Sequence, residues 1–336
     1  MAITAKELAK KLGLSESAIS LALNHKPGVS TATRKRVLAA AEEFGYDFTR
    51  ITAVEDPEYH GTIYFVIYKK HGAVVADTPF FSQVSEGVDM ECHRIPYYLS
   101  IQYLHDGDDV KAQLANWKRS GCRGIILLGT EMQPQDLSHF MNIDIPLVLL
   151  DNYFEEIDVD SVLINNIKGA YTATNYLIRK RNAQPGYLHS SYAINNFEER
   201  ADGFYKAIRR NGMSTSRSIV HRLTPSVEGA YADMKELLAR GEPLANCYFA
   251  DNDLIAVGAL RAFREAGYRI PQDIAIVGFD NMPVCTYIEP ALTTIHVPKE
   301  YMGQMAVRRL HELISHSDSQ PIKIEISTTL QKRKSC

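Results

Sequence analysis

Short apolar runs alternate with helical patterns through most of this chain. TIYFVIY, YYLSIQY and GIILLG are rich in β-branched and aromatic residues, and apolar residues at helical spacing follow each run. The alternation continues after Val162 and ends near IAIVGF at residues 274–279. Strands and helices in alternation predict parallel sheets that are covered on both faces. Because a single sheet rarely holds so many strands, we predict an α/β fold with two doubly wound parallel lobes.

Residues 4–24, TAKELAKKLGLSESAISLALN, have a different pattern, which predicts two short helices around a tight turn. Thr4 and Glu7 have the spacing of a capping box, so the first helix should begin after Thr4, and Gly13 should end it. Ser15 can cap the second helix. The inward side of this helix is expected to hold Ala18, Ile19, Ala22 and Leu23. Such a pair occurs both in ordinary helical hairpins and in DNA-binding helix-turn-helix modules.

A third helix is predicted to start at Ser30 or Thr31 and to end at Gly45, which completes a small helical bundle. Residues 1–50 contain eight Lys or Arg and five Asp or Glu, so their net charge is +3. The whole chain carries −3, and the remainder therefore carries −6. A basic module beside an acidic body favours DNA binding over the ordinary hairpin, because Lys and Arg replace the counterions along phosphates.

Composition excludes several other classes of protein. No stretch approaches the roughly 18 to 20 consecutive apolar residues of a membrane helix, and the N-terminal stretch lacks the apolar core of a signal peptide, so we expect a cytoplasmic protein. The 5 cysteines are odd in number and far apart, which argues against a disulfide framework or a zinc site. No nucleophile elbow or phosphate-binding loop is present in the sequence. We therefore predict no metal, no cofactor and no enzymatic activity.

Polar side chains follow several of the predicted strands. The candidates for ligand binding are Asp151, Asn252 and Asp280 after strands, Arg200 at a helix start, and Phe80 or Phe81 as an apolar cover. Because open parallel sheets bind ligands at the carboxyl ends of their strands, two lobes would bring these residues to one cleft. The set suits a polyhydroxylated small molecule. In the alternative interpretation Asp251 and Asp253 are only helix caps, Asp280 caps a turn, and Arg200 forms a buried ion pair. Asp253 is expected to be a helix cap in either interpretation.

Two groups of motifs resemble one known family. Those near the N-terminus are Ile3-Thr4, Glu7-Leu8-Ala9, Gly13-Leu14-Ser15, Ala18-Ile19-Ser20, Leu23-Asn24 and Gly45-Tyr46. Those in the second half are Glu199 to Phe204, Ala250 to Asp253, Ile270 to Asn281 and Pro290 to Ile295. Together they resemble the headpiece and the effector-binding core of the LacI/GalR family of bacterial transcriptional regulators, whose core has the periplasmic-binding-protein type I fold.

The resemblance implies a division of the chain. Residues 1–50 would be an all-α helix-turn-helix headpiece, residues 51–61 a linker or hinge, and residues 62–336 an effector-binding and dimerisation core. Lobe 1 would comprise about 62–162 plus 292–323, and lobe 2 about 163–291 plus the C-terminal tail. The resemblance also implies ligand-binding roles for Asp151, Arg200, Asn252 and Asp280.

The candidate DNA contacts follow from the helix positions. Side chains expected at base edges are Ser17, Ala18, Ser20 and Leu21. Phosphate contacts are expected from the hydroxyls, or the backbone amides at helix starts, of Thr4, Ser15, Asn24, Ser30 and Thr33. Arg34 is expected to strengthen binding to all sequences alike.

The function expected from these features is that of a DNA-binding repressor. It would bind a pseudo-palindromic operator as a homodimer, because one recognition helix reads few base pairs. A small polar ligand, a sugar or sugar derivative, would control it by preferring one closure of the two lobes. The alternatives are a solute-binding protein, which shares the core, and an α/β enzyme acting on a carbohydrate.

Overall fold

The computed structural model describes residues 3–23, 29–46, 59–72, 74–75, 78–141, 143–316 and 320–336. The chain divides into one compact unit up to Tyr59 and a second from His60 to Cys336. The predicted linker at 51–61 spans this division. Residues 47–58 lie outside the described residues, so the linker and its hinge stay a prediction.

The first unit contains three helices, which are α1 Ala5–Leu12, α2 Glu16–Leu23 and α3 Thr31–Glu43. The Thr4 hydroxyl accepts the N–H of Glu7 at 3.3 Å, and the Glu7 carboxylate accepts the N–H of Thr4 at 2.8 Å. These bonds form the predicted capping box. Gly13 ends α1 in the left-handed conformation with φ +64°, which glycine adopts without steric cost.

The other two helices also begin at hydroxyl caps. Ser15 Oγ accepts the N–H of Ala18 at 3.1 Å, and Ser30 Oγ accepts the N–H of Thr33 at 3.1 Å, so Ser30 rather than Thr31 caps α3. The buried core of this unit consists of Leu8, Ala9, Ile19, Ala22, Leu23, Val37, Ala40 and Ala41. Ala18, which was predicted to pack inward, is only half-buried because it lies at the margin of the apolar side of α2.

The second unit has twelve strands and nine α-helices among its described residues. The strands are β1 Thr62–Lys69, β2 Tyr98–His105, β3 Cys122–Leu128, β4 Leu147–Leu150, β5 Ser161–Ile164, β6 Gly186–Ser190, β7 Val220–Leu223, β8 Cys247–Ala250, β9 Ala275–Asp280, β10 Thr293–His296, β11 Lys323–Ile326 and β12 Thr329–Gln331. The helices are α4 Pro79–Arg94, α5 Val110–Arg119, α6 Pro134–Ser138, α7 Asn166–Arg181, α8 Asn195–Arg210, α9 Val227–Ala239, α10 Asp253–Glu265, α11 Val284–Tyr287 and α12 Lys299–Ser315.

These strands form two six-stranded sheets, one in each lobe. The order is β11-β5-β4-β3-β1-β2 in lobe 1 and β12-β10-β9-β8-β6-β7 in lobe 2. All neighbours are parallel except β10 and β12, which pair antiparallel at one edge. The central strands are buried and apolar over most of their length because helices cover both faces of each sheet, as residues 124–128 of β3 and 275–279 of β9 illustrate. The predicted α/β architecture with two parallel lobes is confirmed.

The boundaries between the lobes differ from the prediction. The segment 292–323 was assigned to lobe 1, but β10 pairs with β9 in the sheet of lobe 2, so the chain returns to lobe 1 only between His296 and Lys299. Lobe 1 also keeps β5 to Ile164 and gains β11. The chain therefore crosses between the lobes after β5, after β10 and after β11. The partner of a short strand depends on distant residues, which local sequence does not reveal.

Helix α12 packs closely against α4 in lobe 1. A Cβ on Gly87 would lie 2.0 Å from the carbonyl oxygen of Glu300, and one on Gly303 would lie 2.3 Å from that of Val84. Only glycine permits these two backbones to approach so closely.

Within the described residues, no helix is long and apolar enough to cross a membrane.

Candidate functional site

A cavity of about 150 Å³ lies between the two lobes, at the carboxyl ends of β4, β8 and β9. All six predicted ligand-binding residues line it, namely Phe80, Phe81, Asp151, Arg200, Asn252 and Asp280. They come from both lobes, as expected when the carboxyl ends of two parallel sheets face one cleft. The cavity therefore brings together residues that are up to 200 positions apart in the sequence.

Asp151 follows β4 directly and is 2% exposed. Its φ of +63° is in the left-handed region, which Asp and Asn occupy more readily than most residues. One carboxylate oxygen accepts the Thr130 hydroxyl at 2.7 Å, whereas the other, Oδ1, has no hydrogen-bond partner among the described residues. Burial raises the pKa of Asp151 to about 6, although the Thr130 hydroxyl and Arg200 oppose the rise.

Arg200 on α8 is 3% exposed and is held at several points. Its Nε donates to Asn166 at 2.9 Å and its Nη1 to the carbonyl of Asp251 at 2.5 Å. Its Nη2 lies 3.5 Å from Asp280 Oδ1, and its guanidinium carbon lies 3.9 Å from the centre of the Phe279 ring. Arg200 therefore fits both interpretations: it forms a buried ion pair, and it lines the cleft as predicted.

Asp280 is the last residue of β9 and has a φ of +106°, a strained conformation for a residue with a side chain. Burial raises the pKa of Asp280 to about 6, against the opposing effect of Arg200 and Lys299. Lys299 Nζ donates to the Asp280 carbonyl at 2.6 Å, and burial lowers the pKa of Lys299. Asp280 Oδ1 has no hydrogen-bond partner among the described residues. The end of β9 is thus held through the backbone carbonyl of Asp280, while Asp280 Oδ1 faces Arg200 at 3.5 Å without a hydrogen bond.

Asn252, rather than its neighbour, caps α10. Its Oδ1 accepts the N–H of Ile255 at 2.9 Å. The prediction that Asp253 is an N-cap is wrong, because this residue lies inside the helix and its carboxylate accepts the N–H of Met282 at 2.8 Å and the hydroxyl of Thr294 at 2.5 Å. Asp253 therefore braces the segment that follows Asp280.

Asp251 does not cap α10 either. Its carboxylate lies 2.7 Å from His189 Nδ1, accepts the N–H of Ser190 at 2.6 Å and accepts the hydroxyl of Tyr187. These contacts leave its carbonyl oxygen facing Arg200. Asp251 is therefore a fully bonded support beneath the cavity, in contrast to Asp151.

Glu131, which the sequence analysis missed, organises the loop between β1 and α4. Its carboxylate is buried and accepts backbone N–H groups at 2.8 to 3.1 Å from Lys70, His71, Gly72, Val74 and Val75. Burial raises the pKa of Glu131, but the N–H donors outweigh it and leave the pKa below its usual value. This loop contributes Val74 to the cavity and leads to Phe80. The sequence signal that could have indicated Glu131 is its position, two residues after the apolar run GIILLG, where strand ends carry site residues.

Side-chain amides of α8 join the lobes across the cleft. Asn196 Nδ2 donates to the carbonyl of Asp151 at 3.3 Å, and Asn195 Nδ2 lies 3.3 Å from both Asn152 Oδ1 and the carbonyl of Tyr153. Asn196 also lines the cavity together with Thr130 and Phe197, none of which was predicted. The two lobes therefore meet through polar contacts directly beside Asp151.

The predicted DNA contacts are distributed over the surface of the first unit. Exposed residues are Thr4, Ser15, Ser17, Ser20 and Ser30, and half-buried residues are Ala18, Leu21, Thr33 and Arg34. The hydroxyls of Thr4, Ser15 and Ser30 already serve as helix caps, so their contribution to phosphate binding would come from backbone amides at the helix starts. Asn24 lies outside the described residues.

In the part of the chain that is described, no group of three or more His, Cys, Asp or Glu could hold a metal ion.

Comparison with known proteins identifies both units. Residues 4–47 match the model of bacterial regulatory proteins of the lacI family, and residues 174–336 match a periplasmic binding protein-like domain. The HTH-type transcriptional repressor PurR of Yersinia pestis bv. Antiqua (strain Antiqua) is 30% identical over 336 residues, which cover 99% of this chain and 96% of the relative.

Two solved structures of regulators are similar over most of the chain. A complex of the transcriptional regulator CelR with cellobiose has a TM-score of 0.73 at 25% identity and covers 99% of this chain and 100% of its own. A LacI family transcriptional regulator from Enterococcus faecium with bound ribose has a TM-score of 0.70 at 25% identity and covers 81% of this chain and 98% of its own. Since residues 4–47 match the family model and a relative aligned over 99% of this chain reaches 30% identity, this chain belongs to the lacI family of bacterial regulatory proteins.

Proposed function

We propose that this protein represses transcription by binding operator DNA through α2, and that a small polar ligand in the cleft controls this binding. One observation carries the proposal. The same chain combines a capped helix-turn-helix, whose second helix exposes Ser17 and Ser20, with a cavity between two lobes that is lined by buried carboxylates. A DNA reader and a ligand site in one chain are the two parts that a ligand-controlled regulator needs.

The DNA-binding part of the proposal rests on helix geometry. Ser17 and Ser20 would contact base edges together with Ala18 and Leu21, while the amides at the starts of α1, α2 and α3 would contact phosphates. A single module reads few base pairs, so we propose a homodimer on a pseudo-palindromic operator. Binding to DNA implies a cytoplasmic protein.

The ligand is proposed to be a sugar or a sugar derivative that contacts Asp151, Arg200, Asn252 and Asp280. Buried carboxylates accept hydrogen bonds from hydroxyl groups, and the rings of Phe80 and Phe81 offer an apolar wall for the face of a sugar ring. The cavity of about 150 Å³ is small compared with pockets for drug-sized molecules, which measure roughly 300 to 1,000 Å³. The two similar regulators with bound cellobiose and ribose support a carbohydrate.

The rival functions have less support. The relatives are named as transcriptional repressors rather than enzymes, and we propose that this chain likewise has no enzymatic activity. A solute-binding protein would share the two-lobed core, but the helix-turn-helix unit has no role in such a protein.

The proposal is tested by selecting operator sequences from a random duplex library with the full chain and measuring affinity by gel shift over a range of salt concentrations. We expect enrichment of a pseudo-palindrome and a steep loss of affinity with salt. A panel of sugars should then change the affinity for that operator. Asp280→Ala and Arg200→Ala should keep DNA binding and lose the response to the ligand. Failure to enrich any sequence, or an unchanged ligand midpoint in both variants, would contradict the proposal.

A further inference from the structure

The chain turns sharply at the end of β9, where two consecutive residues have left-handed backbone conformations. They are Asp280, with φ +106°, and Asn281, with φ +53°. Such a turn is strained for residues with side chains and persists only where its surroundings hold it. Lys299 Nζ donates to the Asp280 carbonyl at 2.6 Å, and the N–H of Asn281 donates to Thr294 Oγ1 at 3.3 Å. The turn is therefore held from both α12 and β10.

The C-terminal tail, which follows β12, also holds this turn. Ser335 is fully buried, and its Oγ accepts the N–H of Thr293 at 2.8 Å. The tail is thereby anchored to β10 beside Arg333, whose Nη1 donates to the carbonyl of Leu292 at 2.8 Å. Arg333 Nη2 donates to Asn281 Oδ1 at 2.6 Å. One side chain of the tail therefore bonds directly to the turn.

Hydrogen bonds of fixed direction run from Arg333 through Asn281 to His296. A guanidinium group can only donate, so the oxygen of the Asn281 amide must face Arg333. The amide NH2 group then faces His296, with Nδ2 3.1 Å from Nδ1 of the ring. Because this NH2 group can only donate, Nδ1 must be unprotonated and the neutral ring must carry its proton on Nε2. A second proton on the ring would place two donors against each other.

The groups around His296 favour the same neutral form. Burial lowers the pKa of His296, the positive charges of Lys299 and Arg333 lower it further, and the carboxylate of Glu300 opposes them. On the neighbouring β9 the residue opposite His296 is Asp280, and burial raises the pKa of that acid. The residue opposite His296 on β12 is uncharged. We therefore expect a neutral ring at pH 7.5.

We propose that Arg333, Asn281 and His296 act together as positioning residues, which hold the turn after β9 beside the cavity and release it when His296 takes up a proton. His296 ends β10, so the same bonds tie the turn to the point where the chain crosses back to lobe 1. Acidification would loosen a wall of the cavity and a crossing between the lobes together. The consequence for a ligand rests on the proposed function, whereas the bonds themselves do not.

Histidine-ring NMR of the full chain at pH 7.5 tests the direction of these bonds, with His296→Gln identifying the signal. We expect His296 to carry its proton on Nε2. In Arg333→Met the Asn281 amide is free to rotate, so the two neutral forms of the ring should mix and the pKa of His296 should rise. Lys334→Met removes an exposed charge of the same tail and should leave the ring unchanged. A proton on Nδ1 in the unmodified protein, or an unchanged ring in Arg333→Met, would overturn the proposal.

Asn281→Asp tests the response to protons, and Asp tolerates the left-handed φ. A carboxylate accepts from both Arg333 and a charged His296, so the pKa of His296 should rise above its ordinary value. In the unmodified protein the unfolded state binds this proton more tightly, so acidification costs stability, and the variant reverses that sign. From pH 7.5 to pH 5.5 the unfolding midpoint of the variant should rise by about 2 °C relative to the unmodified protein. A constant or falling relative midpoint would contradict the proposal.

Hydrogen exchange reports on the turn itself. Peptides that cover residues 280–283 should exchange about tenfold faster in Arg333→Met, because a charged hydrogen bond to the turn is lost. The same peptides of Lys334→Met should exchange as in the unmodified protein. Equal exchange in Arg333→Met would show that the tail does not hold the turn. Failure of the proposed function would instead appear as missing operator binding, which none of these measurements involves.

Discussion

The helical unit and the cleft satisfy their polar groups in different ways. In the helical unit the caps Thr4, Ser15 and Ser30 each bond to a backbone group three residues away. In the cleft Arg200 donates to groups 34 and 51 residues away, and Asp151 and Asp280 each keep a buried oxygen that accepts no hydrogen bond from a described residue. The helix caps of the first region thus bond locally, whereas the second region depends on distant residues and retains acceptors for a ligand.

The largest change in stability is expected for Glu131→Ala, which removes an acceptor for five backbone N–H groups of the loop beside the cavity. Five backbone N–H groups would lose their acceptor. Since each unpaired buried group costs about 1 to 3 kcal/mol and water can reach part of the loop, we expect the free energy of unfolding to fall by about 3 to 5 kcal/mol. Urea unfolding measures the change. The exposed Glu156→Ala is the control and should stay within about 0.5 kcal/mol.

An effect of pH on stability would sharpen the contrast at Asp151. Burial raises the pKa of Asp151 to about 6 from an ordinary value of 3.8, with Arg200 and Thr130 lowering it and Asp280 raising it. Because the folded state binds this proton more tightly, the contribution of Asp151 is favourable at low pH and is lost as the pH rises through about 6. The burial-raised pKa of Asp280, also about 6, has an effect of the same sign.

We therefore expect Asp151→Asn, which removes this charge, to raise the thermal unfolding midpoint relative to the unmodified protein more at pH 7.5 than at pH 5. Thermal unfolding midpoints of both proteins at these pH values measure it. A difference that does not change with pH would show that Asp151 has an ordinary pKa in the folded state.

A smaller effect is expected at a local cap. Ser30→Ala removes the acceptor for the N–H of Thr33, which costs about 1 kcal/mol. Hydrogen exchange at the amides of α3 should become about fivefold faster, while the amides of the two lobes exchange as before. Lys35→Ala, an exposed change in the same helix, serves as the control. Faster exchange in the lobes as well would contradict the view that this unit is held together locally.

The smallest change in stability is expected for Ser17→Ala. The same variant should clearly change which DNA bases the protein prefers. Ser17 is exposed on α2, so the unfolding midpoint should stay almost unchanged while the base preference of the selected operator changes. Arg34→Ala should instead weaken binding to all duplexes alike. If the two variants behave in the opposite way, α2 docks on DNA differently from the proposal.

The local features that the sequence predicted correctly are those set by neighbouring residues, whereas the six cavity residues were predicted from their places along the chain and from the family resemblance. The capping box of Thr4, the end of α1 at Gly13 and the apolar strands all depend on short stretches of chain. Glu131 was missed because its five donors lie 56 to 61 residues away. The cap at Asp253 was wrong because Asn252, an equally good cap, stands directly before it, and only the observed helix start distinguishes them.

The three crossings between the lobes affect how the protein can be made. The first sheet is incomplete until β11 is present, and the second until β12 is present, although most strands of both sheets lie far upstream. A chain emerging from the ribosome therefore carries two unfinished sheets, in which one side of β5 and one side of β10 are unpaired, until residues 323–331 have been synthesised. Truncation before Lys323 would leave β5 and β10 unpaired on one side, which exposes a normally paired strand in both lobes at once.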